Sequence, residues 1–497
     1  MDTETTYFLA RLLVVKSLGF VYFLSNLGAY QQTLALCGSR GLLPAAPFLK
    51  KRKFWAYPSL FHLNCSDGAL KGLAALGMVL SVLVVAGAGD LLGYASFCGL
   101  FLGLWLIQLS YLNIGQTFYG YSFELLLAEI GFAAAFLGPA QSQPSQLVVF
   151  LLRCTLFSVM FGPGIAKLGL GYQWRDLSAM QKFYETHPLP SRLSWYISRL
   201  PKSFHKLSTL VTLIAEVGVP FFYFAPAPYR YAAGGITLLF QIAIIATGNI
   251  AWFNYATAIL CVVCFDDRFF TGIAGFSFKH AAGLATLPHS VELGLAGVSI
   301  FAAVIALSHP LRALLAWDIR KGDPFYLNPA VRIYLRNIYY MFRFVKTTRT
   351  EYVLEGYYEG EWKEILFKGR VDQPGRMPLN TAPYFHRLAM TFFQLSPQHP
   401  LESNEWVMRL IKRLLDGEPM IRPLLTSEFA ASASPAKVRA LLYEYKFTRN
   451  RGAKKAWWSR RLIGQSGEEF VSRKYSSPSR RTPGASGGLK RRSLRSA

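Results

Sequence analysis

The sequence predicts a polytopic α-helical membrane protein of about eight spans, followed by a C-terminal β-rich extramembrane domain and a disordered basic tail. Three observations predict it. Only 16% of the 497 residues are charged and 52% are hydrophobic, whereas soluble domains carry roughly a quarter charged residues. The apolar residues gather in the first two-thirds of the chain, in runs near the ~20 residues that cross a bilayer. Past Pro310 the texture changes to apolar–polar alternation across a glycine-bearing turn, which marks strands. The chain therefore divides into a transmembrane helical domain (1–310), a connector (311–345), a β-rich domain (346–463) and a tail (464–497).

The first span covers 8–29, and the acidic start Met1-Asp-Thr-Glu makes it an uncleaved anchor rather than a leader. The loop after it carries Cys37, the basic run 50–53, and the chain's sole glycosylation sequon, Asn64-Cys65-Ser66. Spans at 69–89 and 91–112 form a tight pair, then a polar-aromatic lip holds Gln116 and Tyr119. The span at 123–137 opens with Glu124 and contains Glu129. A buried unpaired carboxylate costs at least a few kcal/mol, so Arg11, Lys16, Arg153 and Lys167 are the expected partners.

Residues 147–170 span again and lead into the stretch 162–190, around which the chain is organised. Lys167 sits where a lysine can snorkel to the interface. Beyond it, Trp174-Arg175-Asp176 and Tyr184-Glu185-Thr186-His187-Pro188 are too dense in special residues for a spacer. They fit either a boundary helix touching headgroups or a lip that holds a ligand or partner. An amphipathic interfacial helix is expected at 191–205, then spans at 207–224 (kinked at Pro220), 231–248, 250–265 and 293–308, with a weak run at 276–287. In the β-rich domain, 350–370 reads as a hairpin, 405–415 as an amphipathic helix and 438–448 as a further strand.

The net charge of +25 is uneven, with +14 of it between Lys437 and the end. Beside a membrane domain, anionic lipid headgroups are the expected neighbour of such a tail, not nucleic acid. The eight histidines form no cluster at metal-ligand spacing, and no phosphate loop, HExxH or nucleophile elbow is present. Neither a metal nor a cofactor is expected. Cys261 and Cys264 have CxxC spacing but lie in an apolar run without basic neighbours to form a thiolate. Cys37 and Cys65 share the first loop and are the candidate disulfide.

The ordered marks Arg40-Gly-Leu-Leu-Pro44, Gln116-Thr-Phe-Tyr-Gly-Tyr-Ser-Phe-Glu124, Trp174-Arg-Asp-Leu, Tyr184-Glu-Thr-His-Pro188, Gly248-Asn249 and Cys264-Phe-Asp-Asp267 run through the first domain. Val353-Leu-Glu-Gly356, Trp362-Lys-Glu364, Leu441-Leu-Tyr-Glu-Tyr-Lys-Phe447 and Trp457-Trp458 continue them. Together, from about Leu12 to Gly464, they resemble the lipase maturation factors. The resemblance implies a multi-pass endoplasmic-reticulum protein of the secretory pathway, a non-enzymatic chaperone that helps dimeric lipases fold, assemble and leave active. Client lipases and the bilayer are then its partners. Gln116, Tyr119, Glu124, Lys167, Trp174, Arg175, Asp176, Tyr184, Glu185 and Trp362 become structural or client-facing positions. The family arrangement puts the first loop in the lumen, which suits Asn64, while the positive-inside rule pulls 50–53 to the cytosol. The chain departs from the family at 382–393, which lacks an Asp-Trp pair, and before Tyr339, where a glycine is missing. Two alternatives stand beside this reading. The bundle is also similar to that of vitamin K-dependent γ-carboxylases, which would make Lys167 a candidate base. The intramembrane charges also suit a lipid or solute transporter, although no half-to-half repeat is visible.

Overall fold

In a computed structural model, the protein is described over residues 5–274 and 339–471, except 372, 378, 379, 431, 432 and 451–455, with 293, 294, 297, 333–335 and 337 in addition. The expected run at 276–287, nearly all of the span at 293–308 and most of the connector lie outside the described residues.

Nine helices build the described part of the membrane domain's main frame: α1 (Phe8–Cys37), α2 (Asp67–Ala86), α3 (Tyr94–Ile114), α4 (Ser122–Ala134), α5 (Gln146–Leu170), α6 (Lys202–Leu213), α7 (Ala227–Thr247), α8 (Phe253–Cys261) and α9 (Asp267–Ala274). Six helical stretches among the described residues are long and apolar enough to cross a membrane: α1, α2, α3, α5, α6 with its continuation to Phe224, and α7. The expected spans at 123–137 and 250–265 are shorter helices, α4 and α8, both packed into the bundle core. Eight crossings are therefore not all matched by spanning helices. The chain is nonetheless a multi-pass membrane protein by its helices.

At 30 residues, α1 is about 45 Å long, while the hydrocarbon layer is about 30 Å. Its surplus C-terminal turns leave the bundle core, and Ala29, Ala35, Leu36 and Cys37 pack with residues of the β-domain. Pro220 forces the second irregularity. Proline lacks an N–H and crowds the preceding turn, and α6 runs into a π turn at Ile214–Gly218 and a 3-10 turn at Val219–Phe224. Glu216 lies buried in that π turn.

The expected amphipathic helix at 191–205 is split. Arg192–Ile197 forms one short helix, and Pro201 precedes a new helix, α6, at Lys202. Trp195, read from sequence as interfacial, is buried against Trp457 with ring centroids 5.4 Å apart.

The β-domain is a four-stranded antiparallel sheet in the order β2-β1-β3-β4, from β1 (Arg349–Tyr358), β2 (Glu361–Glu364), β3 (Lys437–Phe447) and β4 (Trp458–Val471). A two-residue turn closes the first hairpin, with Glu359 at φ 49° and Gly360 at φ 94°, the double left-handed geometry of a type I′ turn. Two helices, α10 (Arg387–Phe393) and α11 (Glu405–Asp416), cover one face. Alternation sorts the strands: Tyr352, Leu354, Val438 and Ala440 pack with Leu388, Phe392, Trp406 and Leu410. Val353 and Tyr445 face a second cluster with Trp195, Trp457 and Trp458.

The strand β4 corrects one boundary. The tail was expected to be disordered from Gly464, yet residues up to Val471 pair with β3, including Gln465 with Leu441 and Phe470 with Val438. Low apolar content misled the reading, because an edge strand needs only one packed face. Residues 472–497, with most of the expected basic tail, lie outside the described residues.

Candidate functional site: the seam between bundle and β-domain

Gln116, Tyr119, Glu124, Trp174, Tyr184 and Glu185 converge on two places where the C-terminal part of the chain meets the membrane bundle. In the first, the N-terminal residue of α10, Arg387, reaches into the bundle and is 1% exposed. Its guanidinium pairs with the carboxylate of Glu124, itself fully buried at the start of α4. The other carboxylate oxygen accepts from Gln108 Nε2 at 2.5 Å. Gln108 Oε1 in turn accepts from Ser25 Oγ at 3.1 Å. The guanidinium carbon also lies 3.6 Å from the ring centroid of Tyr119, a cation–π contact strengthened by desolvation. The Tyr119 hydroxyl shares a 2.6 Å hydrogen bond with Thr33 Oγ1. Gln32 finishes the cradle, accepting from the Arg387 backbone N–H at 3.0 Å and donating to Phe385 O at 2.7 Å. Gln116 stands at the rim, half-buried with φ 48°, and donates to Leu43 O at 3.0 Å.

The second place is the organising stretch itself. Trp174 is buried and donates from Nε1 to Phe342 O at 3.1 Å. Tyr184 packs with it, Met180 and Val345. Glu185 accepts the backbone N–H of Phe447 at 3.3 Å, which ties the stretch to the end of β3. Arg349 at the start of β1 donates to the carbonyls of His187 and Pro188 at 2.7 and 2.9 Å. It also pairs with Glu351 at 2.6 Å, whose other oxygen meets Arg370 at 3.3 Å. Burial, with Arg349 nearby, pushes His187 down to about 3, so it is neutral here. A third tie is Asn249, whose Oδ1 accepts from Thr381 N and Ala382 N at 3.0 and 2.8 Å.

The remaining candidates lie apart from these ties. Arg175 and Asp176 are exposed. Trp362 sits on the short strand β2, 5.3 Å from the Tyr357 ring and under the Arg439 guanidinium at 4.2 Å. Asn64 is exposed just ahead of α2. The Cys37–Cys65 bond is absent, and both are free thiols. Cys37 is buried at the end of α1 within the cluster that joins bundle and β-domain, and Cys65 packs half-buried on the rim of that cluster.

Lys167 lies in the bundle and contacts both oxygens of Glu216 at 2.5 Å. Glu129 accepts from Thr155, Asn337 and Tyr339 between 2.9 and 3.1 Å. None of the basic residues expected to answer Glu124 and Glu129 does so. Arg11 donates to the carbonyls of Ser142 and Ala140, Arg153 to Tyr7 Oη and Val263 O, and Lys16 faces Asp90 at 3.8 Å. Arg387 and Arg349 were not singled out from sequence. The available signal was a lone arginine inside the apolar run Phe385–Phe393, but its partner lies 263 residues away. No group of three His, Cys, Asp or Glu among the described residues is placed to hold a metal.

These ties bind two separately recognisable units. Residues 9–272 match the model of the lipase maturation factor transmembrane domain, and 335–467 match that of the lipase maturation factor C-terminal domain. The chain belongs to the lipase maturation factor family. It is 31% identical to human lipase maturation factor 1 over 92% of this chain and 87% of that protein. It is 30% identical to the bovine protein of the same name over 92% and 88%. Human lipase maturation factor 2 is 28% identical over 93% and 82%. No solved structure matches the chain. Both seams thus join the two domains of a lipase maturation factor to each other.

Proposed function

We propose that this protein is an endoplasmic-reticulum membrane factor that helps lipases fold and assemble into active form, without catalysing a reaction itself. The observation that carries the reading is the likeness to lipase maturation factors across both domains, over 92% of the chain. The geometry supports it in one respect. The lysine that a carboxylase-like reading would use as a base, Lys167, has its Nζ 2.5 Å from both oxygens of the buried Glu216, so its nitrogen is engaged by that carboxylate, whereas a general base must be free to reach the proton it abstracts. In this reading Tyr119, Glu124, Trp174, Tyr184 and Glu185 hold the β-domain on the bundle. Client contact falls to positions around it that reach the surface, the exposed Arg175 and Asp176 and the half-buried Trp362. The exposed Asn64 sequon supports a luminal first loop.

The test is rescue in cells lacking their own lipase maturation factor. The chain is co-expressed with a dimeric lipase, and the activity of secreted lipase is measured per molecule of lipase. Restored specific activity is the expected result. Inserted, expressed protein that restores none with any of several dimeric lipases overturns the proposal.

A further inference from the structure

A cavity of about 270 Å³ lies between α5, α6, α7 and the stretch that follows α5. Its walls include Val159, Phe204, Val211, Phe240 and Ile244, with Trp174 at one end. Phe204 and Val211 are 37% and 49% exposed, so the cavity reaches the outer, lipid-facing side of the bundle. Polar groups interrupt the apolar wall, among them the Lys167–Glu216 ion pair, the amides of Gln241 and Asn254 and the hydroxyls of Ser208 and Thr212. Gln241 is 3% exposed. Its Nε2 contacts only the weak acceptor Met160 Sδ at 3.3 Å, and its Oε1 has no partner. Burying an amide group without a hydrogen-bond partner is unfavourable, and a ligand atom would relieve that cost.

We propose that this cavity is a lipid site, taking a single-chain neutral amphiphile with a hydroxyl head, the chemistry of a monoacylglycerol. The volume lies just under the roughly 300–1,000 Å³ of small-molecule sites. That is room for a head and part of one chain, with the rest of the chain leaving past the exposed Phe204 and Val211. A hydroxyl both donates and accepts, so it satisfies the Gln241 amide in either orientation. Charge selects the head. The Lys167–Glu216 pair is already neutral as a unit, and a carboxylate or phosphate added beside it would bury an uncompensated negative charge. The level of the site is also suitable. Lys167 and Trp174 stand at the end of α5 nearest the β-domain, 5.0 Å from ammonium to ring centroid, where lipid heads meet tails. This site is independent of the client reading above.

The test uses the full chain in nanodiscs with a photoactivatable, alkyne-bearing monoacylglycerol. Labelling is expected to map to peptides containing Phe204, Val211 and Phe240. Ile244→Trp, which fills the cavity, is expected to reduce labelling at least tenfold. Val211→Trp on the exposed wall does the same and serves if the first variant does not fold. Gln241→Leu is expected to raise the half-saturating concentration roughly two- to tenfold, the worth of one hydrogen bond. A fatty acid of the same chain length is expected to label at least tenfold less. Labelling unchanged in the filled variant with an unaltered thermal midpoint overturns the site. Equal labelling by the fatty acid overturns the neutral head.

Discussion

Glu124 on the bundle and Arg387 on the β-domain, 263 residues apart, form a buried ion pair that joins the two domains of the protein. Removing either partner alone leaves a buried charge unanswered, at roughly 3–5 kcal/mol. Glu124→Gln and Arg387→Met are each expected to lower the thermal midpoint in nanodiscs. Trypsin should then release the β-domain sooner. Glu124→Gln with Arg387→Met is expected to recover most of the loss, because the amide still accepts from Gln108 and no charge is left. A double variant as unstable as the sum of the singles would show that the two residues act independently.

His187 makes stability depend on pH. Burial and the Arg349 guanidinium move it from 6.5 to about 3, with one ring face on Phe183 at 5.2 Å. The unfolded chain binds the proton near pH 6.5 and the folded chain does not until about pH 3. The contribution is therefore full above pH 6.5 and is lost as pH falls through that window, by at most about 1.4 kcal/mol per pH unit. His386, pushed down to about 4 by burial and Lys368, acts in the same direction. Thermal midpoints measured from pH 7 to pH 4 should fall with pH for the parent chain. The fall should be shallower in His187→Gln, and an unchanged slope would remove His187 as a cause.

Much of this architecture was legible in the sequence because local pattern determined it. The hairpin expected within 350–370, the helix expected at 405–415 and the strand expected at 438–448 follow from alternation, periodicity and turn residues, and the structure has a hairpin ending at Glu364, a helix at Glu405–Asp416 and a strand at Lys437–Phe447. The segment containing Trp174, Tyr184 and Glu185 stood out by its density of polar and aromatic residues, and those side chains do lie at a seam. Pairing across the seam was not legible. Glu124 was matched with basic residues of the membrane half, whereas its partner is in the second domain and no local pattern links them. Trp195 misled for a related reason: an aromatic beside basic residues reads as interfacial, and only the tertiary fold sets Trp457 against it.

Gly162 marks a close approach within the bundle. A Cβ there would lie 2.7 Å from the carbonyl oxygen of Tyr339, a backbone atom that cannot rotate away. The hydroxyl of Tyr339 also donates to Glu129 at 2.9 Å, so a displaced connector disturbs a buried carboxylate as well. Gly162→Ala is expected to cost about 1–3 kcal/mol, typical of overpacking. A lower thermal midpoint in nanodiscs would report it. A midpoint equal to the parent's would mean that α5 and Tyr339 are not in contact in the membrane.

The last test concerns where the β-domain ends. Composition placed the boundary at Gly464, whereas the sheet runs on to Val471. A chain ending at Ile463 loses the pairing of Gly464 with Leu442, Gln465 with Leu441, Ser466 with Ala440 and Phe470 with Val438. Each backbone hydrogen bond contributes about 0.5–1.5 kcal/mol net, and the loss also leaves an unpaired strand edge beside Val438 and Ala440, a template for aggregation. A chain ending at Val471 keeps every described pair. The shorter chain is therefore expected to unfold at a lower temperature and to aggregate on extraction, while the longer one matches the full chain. Calorimetry and size-exclusion chromatography of the two distinguish the boundaries, and equal behaviour would place the end of the domain at Gly464 after all.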